Sequence, residues 1–422
     1  MGMIFWIITI GVVCIITSVI LYKPYLGIAF IIISIPFEGS IILDSVSIYP
    51  LEVILAIFVL ICIYKSIVER YNYFGNMKLV YCCIPFVLCI MLSAMKSIEL
   101  SLTVKEIVRW LELFLIYYLT INLINDDKKM RVILYSIFLT VAMVSIFGVI
   151  NNLSNFEANL DAGHRVFFFF GNPNPFAVYV NLTIPIFFSM MMVSVFLWEQ
   201  IMLGVLTGLS IIVWAFSFSK SGWLSLILAM VFVFFLTKAK KTVSLFLALL
   251  FVIFVITFLF PDIRGNFMDR VELQPVLRSL EHRAMCYPIG ISMVIGDLIL
   301  GIGIGNYPLL ITKFVKHDFM IQHHLHSLYL QVFVETGVLG LSAFVFWLVC
   351  IVRYLVSSLK TLEKTKNCSL FIGLVVGVIV YLFNNLTDVL VVHGIHLQWG
   401  IILGLAVVLI QFRESEKCPE MV

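Results

Sequence analysis

Three of the eight histidines in the 422-residue chain fall within four positions, in the run Gln322-His323-His324-Leu325-His326-Ser327-Leu328. A neutral imidazole can take a proton from a hydroxyl near neutral pH, which few other side chains can do. A hydrated interfacial patch, or a structural cap where outer loop becomes helix, is the alternative reading of the same residues. His-x-His offers two metal ligands, but no nearby Cys or convergent carboxylate completes a set, so no metal site and no cofactor is expected.

Three cations follow a second logic. Arg165 precedes Phe-Phe-Phe-Phe-Gly-Asn172-Pro-Asn174-Pro, Lys220 sits in Ser-Phe-Ser-Lys-Ser-Gly, and Arg283 lies in a long polar segment. A cation at a membrane boundary is expensive unless it snorkels or meets an anion. Taken singly, each reads as a snorkelling residue. Three of them on one face, beside a histidine cluster, suit a lipid-linked diphosphate. Arg forks bind phosphate oxygens bidentately and Lys acts as a point charge.

Other polar residues are less specific. Gly301-Ile-Gly303-Ile-Gly305-Asn306 lacks the strand and helix context of a dinucleotide loop and reads as a tight turn or a nest of N–H groups. Arg109 and Glu112 lie one turn apart and are expected to pair. Glu335 follows His326 by nine residues, about 900° of helix rotation, so it is expected on the opposite side of that helix in a supporting role.

These residues are embedded in a chain that is 62% hydrophobic and only 12% charged, which places it in the membrane class. Apolar runs near 4–22, 25–43, 50–68, 79–96, 103–124, 130–152, 174–196, 199–218, 221–237, 242–260, 327–357, 368–388 and 393–412 give an all-α polytopic protein of about 12–13 spans, a single transmembrane domain over 1–422. Only Lys23-Pro24 separates the first two runs, which leaves one broken or re-entrant element as an alternative to two spans. The N-terminus lacks a basic n-region and a cleavage pattern and is expected to be the first span. Nine scattered cysteines read as small core hydrophobes. The net charge of +3 does not point to nucleic acid.

Basic loops around Lys23, Lys65–Lys78, Lys128–Arg131, Lys238–Lys241, Arg353–Lys366 and Arg413 mark one side as cytoplasmic. The histidines then fall on or beside the other side, with 153–173, the break at Ser219–Gly222, the segment 261–326 and the link near 389–393. The 261–326 segment is too long for a structureless loop. It is expected to hold a partly amphipathic helix, broken near Pro288 and Gly290, that roofs the site.

In order along the chain, four of these pieces resemble the O-antigen ligase and polymerase superfamily of bacterial membrane glycosyltransferases. They are Arg165 with Asn172-Pro173-Asn174, Ser219-Lys220-Ser221-Gly222 (Lys where the family has Arg), Arg283 running on to the 301–307 glycine segment, and His326-Ser327 followed nine residues on by Gly337-x-x-Gly340. The resemblance covers about residues 160–345. It implies a metal-independent, inverting transfer of a glycan from undecaprenyl diphosphate to a hydroxyl of a glycan, lipid A-core or other acceptor. That reaction would take place at the outer face of a bacterial plasma membrane. It further implies that His326 is the base, assisted by His324, and that Arg165, Lys220 and Arg283 hold the diphosphate, with Asn172, Asn174 and Glu335 in support. A polymerase would need the same groups; the His-Ser-x9-Gly-x-x-Gly match leans towards ligase. A small-solute transporter is the reading from another class. It should show midplane ionisable groups and internal repeats, whereas here the polar groups crowd one rim and no repeat is visible.

Overall fold

The computed structural model describes residues 2–37, 41–43, 46–48, 50–70, 75–154, 170–236, 273–314, 324–363, 367–392 and 394–417, with a few single positions between them. The protein is a polytopic helical membrane protein. Among the described residues six helices are long and apolar enough to cross a bilayer: Pro50–Val68, Asp127–Ile150, Pro173–Val193, Leu197–Phe216, Leu328–Leu362 and Ile395–Ser415. They coincide with six of the expected runs. The run expected at 242–260 lies mostly outside the described residues.

In chain order the helices used below are α1 (Gly2–Tyr22), α2 (Leu26–Ser34), α3 (Pro50–Val68), α4 (Val80–Ala94), α5 (Leu100–Leu123), α6 (Asp127–Ser154), α7 (Pro173–Asn181), α8 (Ile184–Val193), α9 (Leu197–Phe216), α10 (Lys220–Leu236), α11 (Leu273–Val294), α12 (Tyr307–Phe314), α13 (Leu328–Leu362), α14 (Cys368–Asn384) and α15 (Ile395–Lys417). A small antiparallel hairpin, β1 (Ile41–Leu43) with β2 (Val46–Ile48), pairs Ile41 with Ile48.

Two readings are open for the first two runs, and the second run is too short for a full span. The helix in 25–43 has only 9 residues, about 13 Å at the rise of an α-helix, less than half of a hydrocarbon core. It stops short of Pro36, and the chain turns into the hairpin. The short helix is nevertheless buried: Ile28 and Ile31 are inaccessible, and a Cβ on Gly27 would lie 2.3 Å from the Phe58 ring.

The core sits around α14 and α15. The Ile395–Ser415 span is 89% buried and the Pro173–Val193 span 83%, against 22% for Pro50–Val68, so the first two are central and α3 faces outward. Helices in lipid approach through small residues. Gly373 and Gly377 of α14 lie against Pro185, Ser189 and the Leu182 carbonyl of the α7–α8 unit, and Gly400 and Gly404 of α15 lie against Leu113, Ile116 and Thr120 of α5. Trp399 stacks on Tyr381 at 4.7 Å and takes the edge of Trp347 at 5.7 Å, tying α15 to α14 and α13.

Within the 261–326 segment α11 runs unbroken through Pro288, correcting the expected break. Gly290 is a packing residue there: a Cβ would meet the Leu325 side chain at 2.7 Å, so α11 lies directly on the stretch that carries the histidines.

Candidate functional site

Helix α13 opens at Ser327, whose hydroxyl accepts from the Leu330 N–H at 3.4 Å, an N-cap of the usual kind. The Leu328 N–H donates across to the carbonyls of Asn385 (2.9 Å) and Asp388 (3.1 Å), so the start of α13 is bonded to the polar turn that ends α14. His326 precedes the helix in a left-handed conformation, φ 51°, which is uncommon for a residue with a Cβ. Its carbonyl accepts from the Tyr287 hydroxyl of α11 at 3.3 Å. Its Nδ1 lies 3.9 Å from an Asp388 carboxylate oxygen, ion-pair rather than hydrogen-bond distance. Because His326 lies outside the helix, the rotation argument that set it opposite Glu335 does not apply.

Arg283 lies one turn before Tyr287 on α11, half-buried. Burial pushes the Tyr287 phenol up, opposed by the positive charge of Arg283 and reinforced by Asp388, so these three groups and the His326 backbone share one neighbourhood. Lys220 begins α10 and is half-buried. Ser225, farther along that helix, accepts from the Asn384 amide at 3.0 Å, which anchors α10 to the same end of α14. Asn172 caps α7 by accepting from the Asn174 N–H at 2.9 Å, and the Ser219 hydroxyl donates to the Asn174 side-chain oxygen at 3.0 Å. The Asn-Pro-Asn piece and the Ser-Lys-Ser-Gly turn are therefore in contact. Arg165 and His323 lie outside the described residues.

Glu335 is buried and belongs to a different construction. Gly337 has φ 68° and ψ −169°, which breaks the helical ladder of α13. The glycine segment fills the break with its own backbone. Ile302 and Gly303 donate to the carbonyls of Val334 (2.9 Å) and Glu335 (3.0 Å), and Val338 donates back to Leu298 at 2.8 Å. The backbone N–H groups of Gly305 and Tyr307 lie near the Glu335 carboxylate. Gln331 links the two constructions, donating to Glu335 and accepting from the Leu325 N–H, both at 3.1 Å. The far side of the glycine segment is fixed to the α4–α5 turn. Lys96 pairs with Asp297 and donates to the Gly301 carbonyl at 2.8 Å, and the Asn306 amide donates to Lys96 and Ile302 carbonyls.

The expected Arg109–Glu112 pair does not form. Arg109 turns to Glu106, and Glu112 meets the His396 Nε2 at 3.3 Å. Glu106 sits one turn before Arg109 on the same helix and His396 reaches Glu112 from α15, so spacing on α5 cannot show which partner wins. Asp388 and Tyr287 were not foreseen at all. The one sequence signal for Asp388 is the polar interruption Asn384-Asn385-Leu-Thr-Asp388 between two apolar helices.

Among the described residues no group of three or more His, Cys, Asp and Glu side chains is arranged to hold a metal ion. The site therefore offers an imidazole beside a carboxylate, with the Arg283 cation in the same neighbourhood.

Residues 205–345 match the family model of the O-antigen ligase. That stretch includes Lys220, Arg283, His324, His326 and Glu335, and the resemblance to the O-antigen ligase and polymerase superfamily holds over it; Arg165, Asn172 and Asn174 precede it. No curated protein matches the chain. The match makes this region O-antigen ligase-like, of a glycosyltransferase-type family.

Proposed function

From an O-antigen ligase-type region spread over α9–α13, we propose that the protein transfers a glycan from undecaprenyl diphosphate to an acceptor hydroxyl at the outer face of a bacterial plasma membrane. The observation that carries this reading is the placement of His326. A left-handed turn, held by Tyr287, presents the imidazole with Nδ1 towards Asp388. An acid beside a histidine orients the ring and stabilises the imidazolium that forms on proton uptake.

In the proposed step the acceptor hydroxyl gives its proton to His326, its oxygen bonds the anomeric carbon, and the bond from that carbon to the diphosphate oxygen breaks. Undecaprenyl diphosphate leaves with the electron pair, and attack from the opposite side inverts the centre. Diphosphate is already a competent leaving group, so Lys220, Arg283 and Arg165 can stabilise its developing charge in place of a metal ion. His324 assists at the acceptor side. Asn172 and Asn174 support Lys220 through Ser219, and Glu335 supports the histidine stretch through Gln331.

The test follows release of undecaprenyl diphosphate from a glycan-loaded donor, without added metal, by purified protein and by His326→Ala. Release by the first and not the second is expected. Equal release by both would move the base elsewhere. Product length then separates a ligase, which adds once, from a polymerase, which leaves a ladder.

A further inference from the structure

A cavity of ≈ 250 Å³ lies apart from the cations, between α2, the start of α3, α5 and the Val392–His396 turn. Its ionisable walls are Glu52, Arg109, Glu112, His324 and His396. A narrow extension of ≈ 20 Å³ shares Arg109 and His324 and adds Glu106 and Glu335. Four carboxylates and one guanidinium thus line the two spaces, and that guanidinium is already paired with Glu106. His396 is 4% exposed and bonds Glu112 through Nε2 at 3.3 Å. The pair holds the Glu112 carboxylate at the cavity wall, where it can accept from a hydroxyl.

We infer that this cavity binds a sugar ring of the acceptor, neutral or amino-substituted, through hydroxyl groups that donate to Glu52 and Glu112. The assignment rests on the glycosyl-transfer reading above and adds to it where the acceptor sits. Carboxylates accept from hydroxyls and repel anions, so the walls exclude the diphosphate and select against acidic sugars. The volume falls just below the roughly 300–1,000 Å³ of drug-sized sites, which suits one ring. His324 lines both the cavity and its extension and lies two residues from His326. A ring seated there is therefore joined by the chain itself to the imidazole that takes its proton.

Saturation-transfer NMR on the full chain in nanodiscs tests this. The probes are neutral, amino and uronic-acid disaccharides of glucose and galactose, with undecaprenyl diphosphate binding followed in parallel. Neutral and amino disaccharides should bind the wild type, and their uronic counterparts at least about tenfold more weakly. Glu112→Gln should weaken the neutral sugars about tenfold and leave undecaprenyl diphosphate unaffected. Glu52→Gln, at the opposite wall, gives the same readout should the loss of the His396 partner unfold the first variant. No binding by any neutral sugar, equal binding of the acidic ones, or no effect of either variant would overturn the assignment. If sugars behave as expected while Lys220→Ala and Arg283→Ala leave undecaprenyl diphosphate binding unchanged, the diphosphate clamp falls and the sugar site stands.

Discussion

Two polar regions meet at one end of the bundle and are built by opposite means. Around His326 the structure gathers side chains from α11 and the turn after α14, an imidazole, a carboxylate, a phenol and the Arg283 cation, while α10, which Lys220 begins, is bonded to the same end of α14. Around Glu335 it gathers backbone, as a glycine segment bonded into a broken helix. The first construction is made of titratable side chains brought from separate segments. The second is made of main-chain groups bonded to the protein itself. Polarity in a membrane protein is thus not by itself a sign of chemistry; what distinguishes the regions is whether side chains or backbone supply it.

The contrast can be broken most forcefully at Gly337. A Cβ there would stand 2.2 Å from the Ile299 carbonyl, in a φ/ψ region open essentially to glycine alone. Gly337→Val should lose upwards of about 3 kcal/mol and yield little monodisperse protein. Recovery of stable protein with wild-type melting would show that the backbone joint is dispensable. His326→Ala should do the reverse, lowering transfer by about 10²–10⁴-fold while melting within a few degrees of wild type.

A smaller effect sharpens the cation side. Lys220→Ala and Arg283→Ala should each raise the donor concentration for half-maximal rate by about tenfold, with folding intact. Lys220→Arg should retain or improve donor use, since a fork can hold two phosphate oxygens where an ammonium offers a point charge. Unchanged donor dependence in both alanine variants would remove these cations from the diphosphate.

The smallest effect is expected at Asp297. The hydrogen bond from Lys96, helped by the Leu300 and Ile299 N–H groups, holds its carboxyl below the usual carboxylate range. A lowered folded value means that ionised Asp297 stabilises the fold above the unfolded value of about 4, and that this contribution fades as pH falls through the lower folded one. The melting gap between wild type and Asp297→Asn should therefore be open at pH 7 and close in acid. A gap independent of pH would mean that the Lys96 contact is not electrostatic.

Much of the helical frame was legible because apolar runs of spanning length have few other uses. The position of His326 at a helix start was legible too, from the change of composition at Ser327. What could not be read were choices made between segments. Arg109 had two acids within a turn, and tertiary packing gave it Glu106 while His396 claimed Glu112. Pro288 reads as a helix breaker, yet packing against Leu325 at Gly290 holds α11 continuous past it. The short α2 was hidden because Ile-rich sequence looks alike in a span and in a buried half-helix. Asp388 shows in sequence only as part of a polar interruption between apolar helices; its approach to His326 is what makes it relevant.

The break at Gly337 also has a bearing on how the chain is threaded into the bilayer. Backbone groups opened inside a membrane helix must find partners, since lipid supplies none. Their partners at 298–303 lie upstream and are synthesised first. The helix α13 is therefore made after the stretch it must bond, and the joint closes only where that stretch already lies. A helix placed elsewhere would leave its opened groups without partners. The order of synthesis thus sets the glycine segment ahead of the helix break it fills.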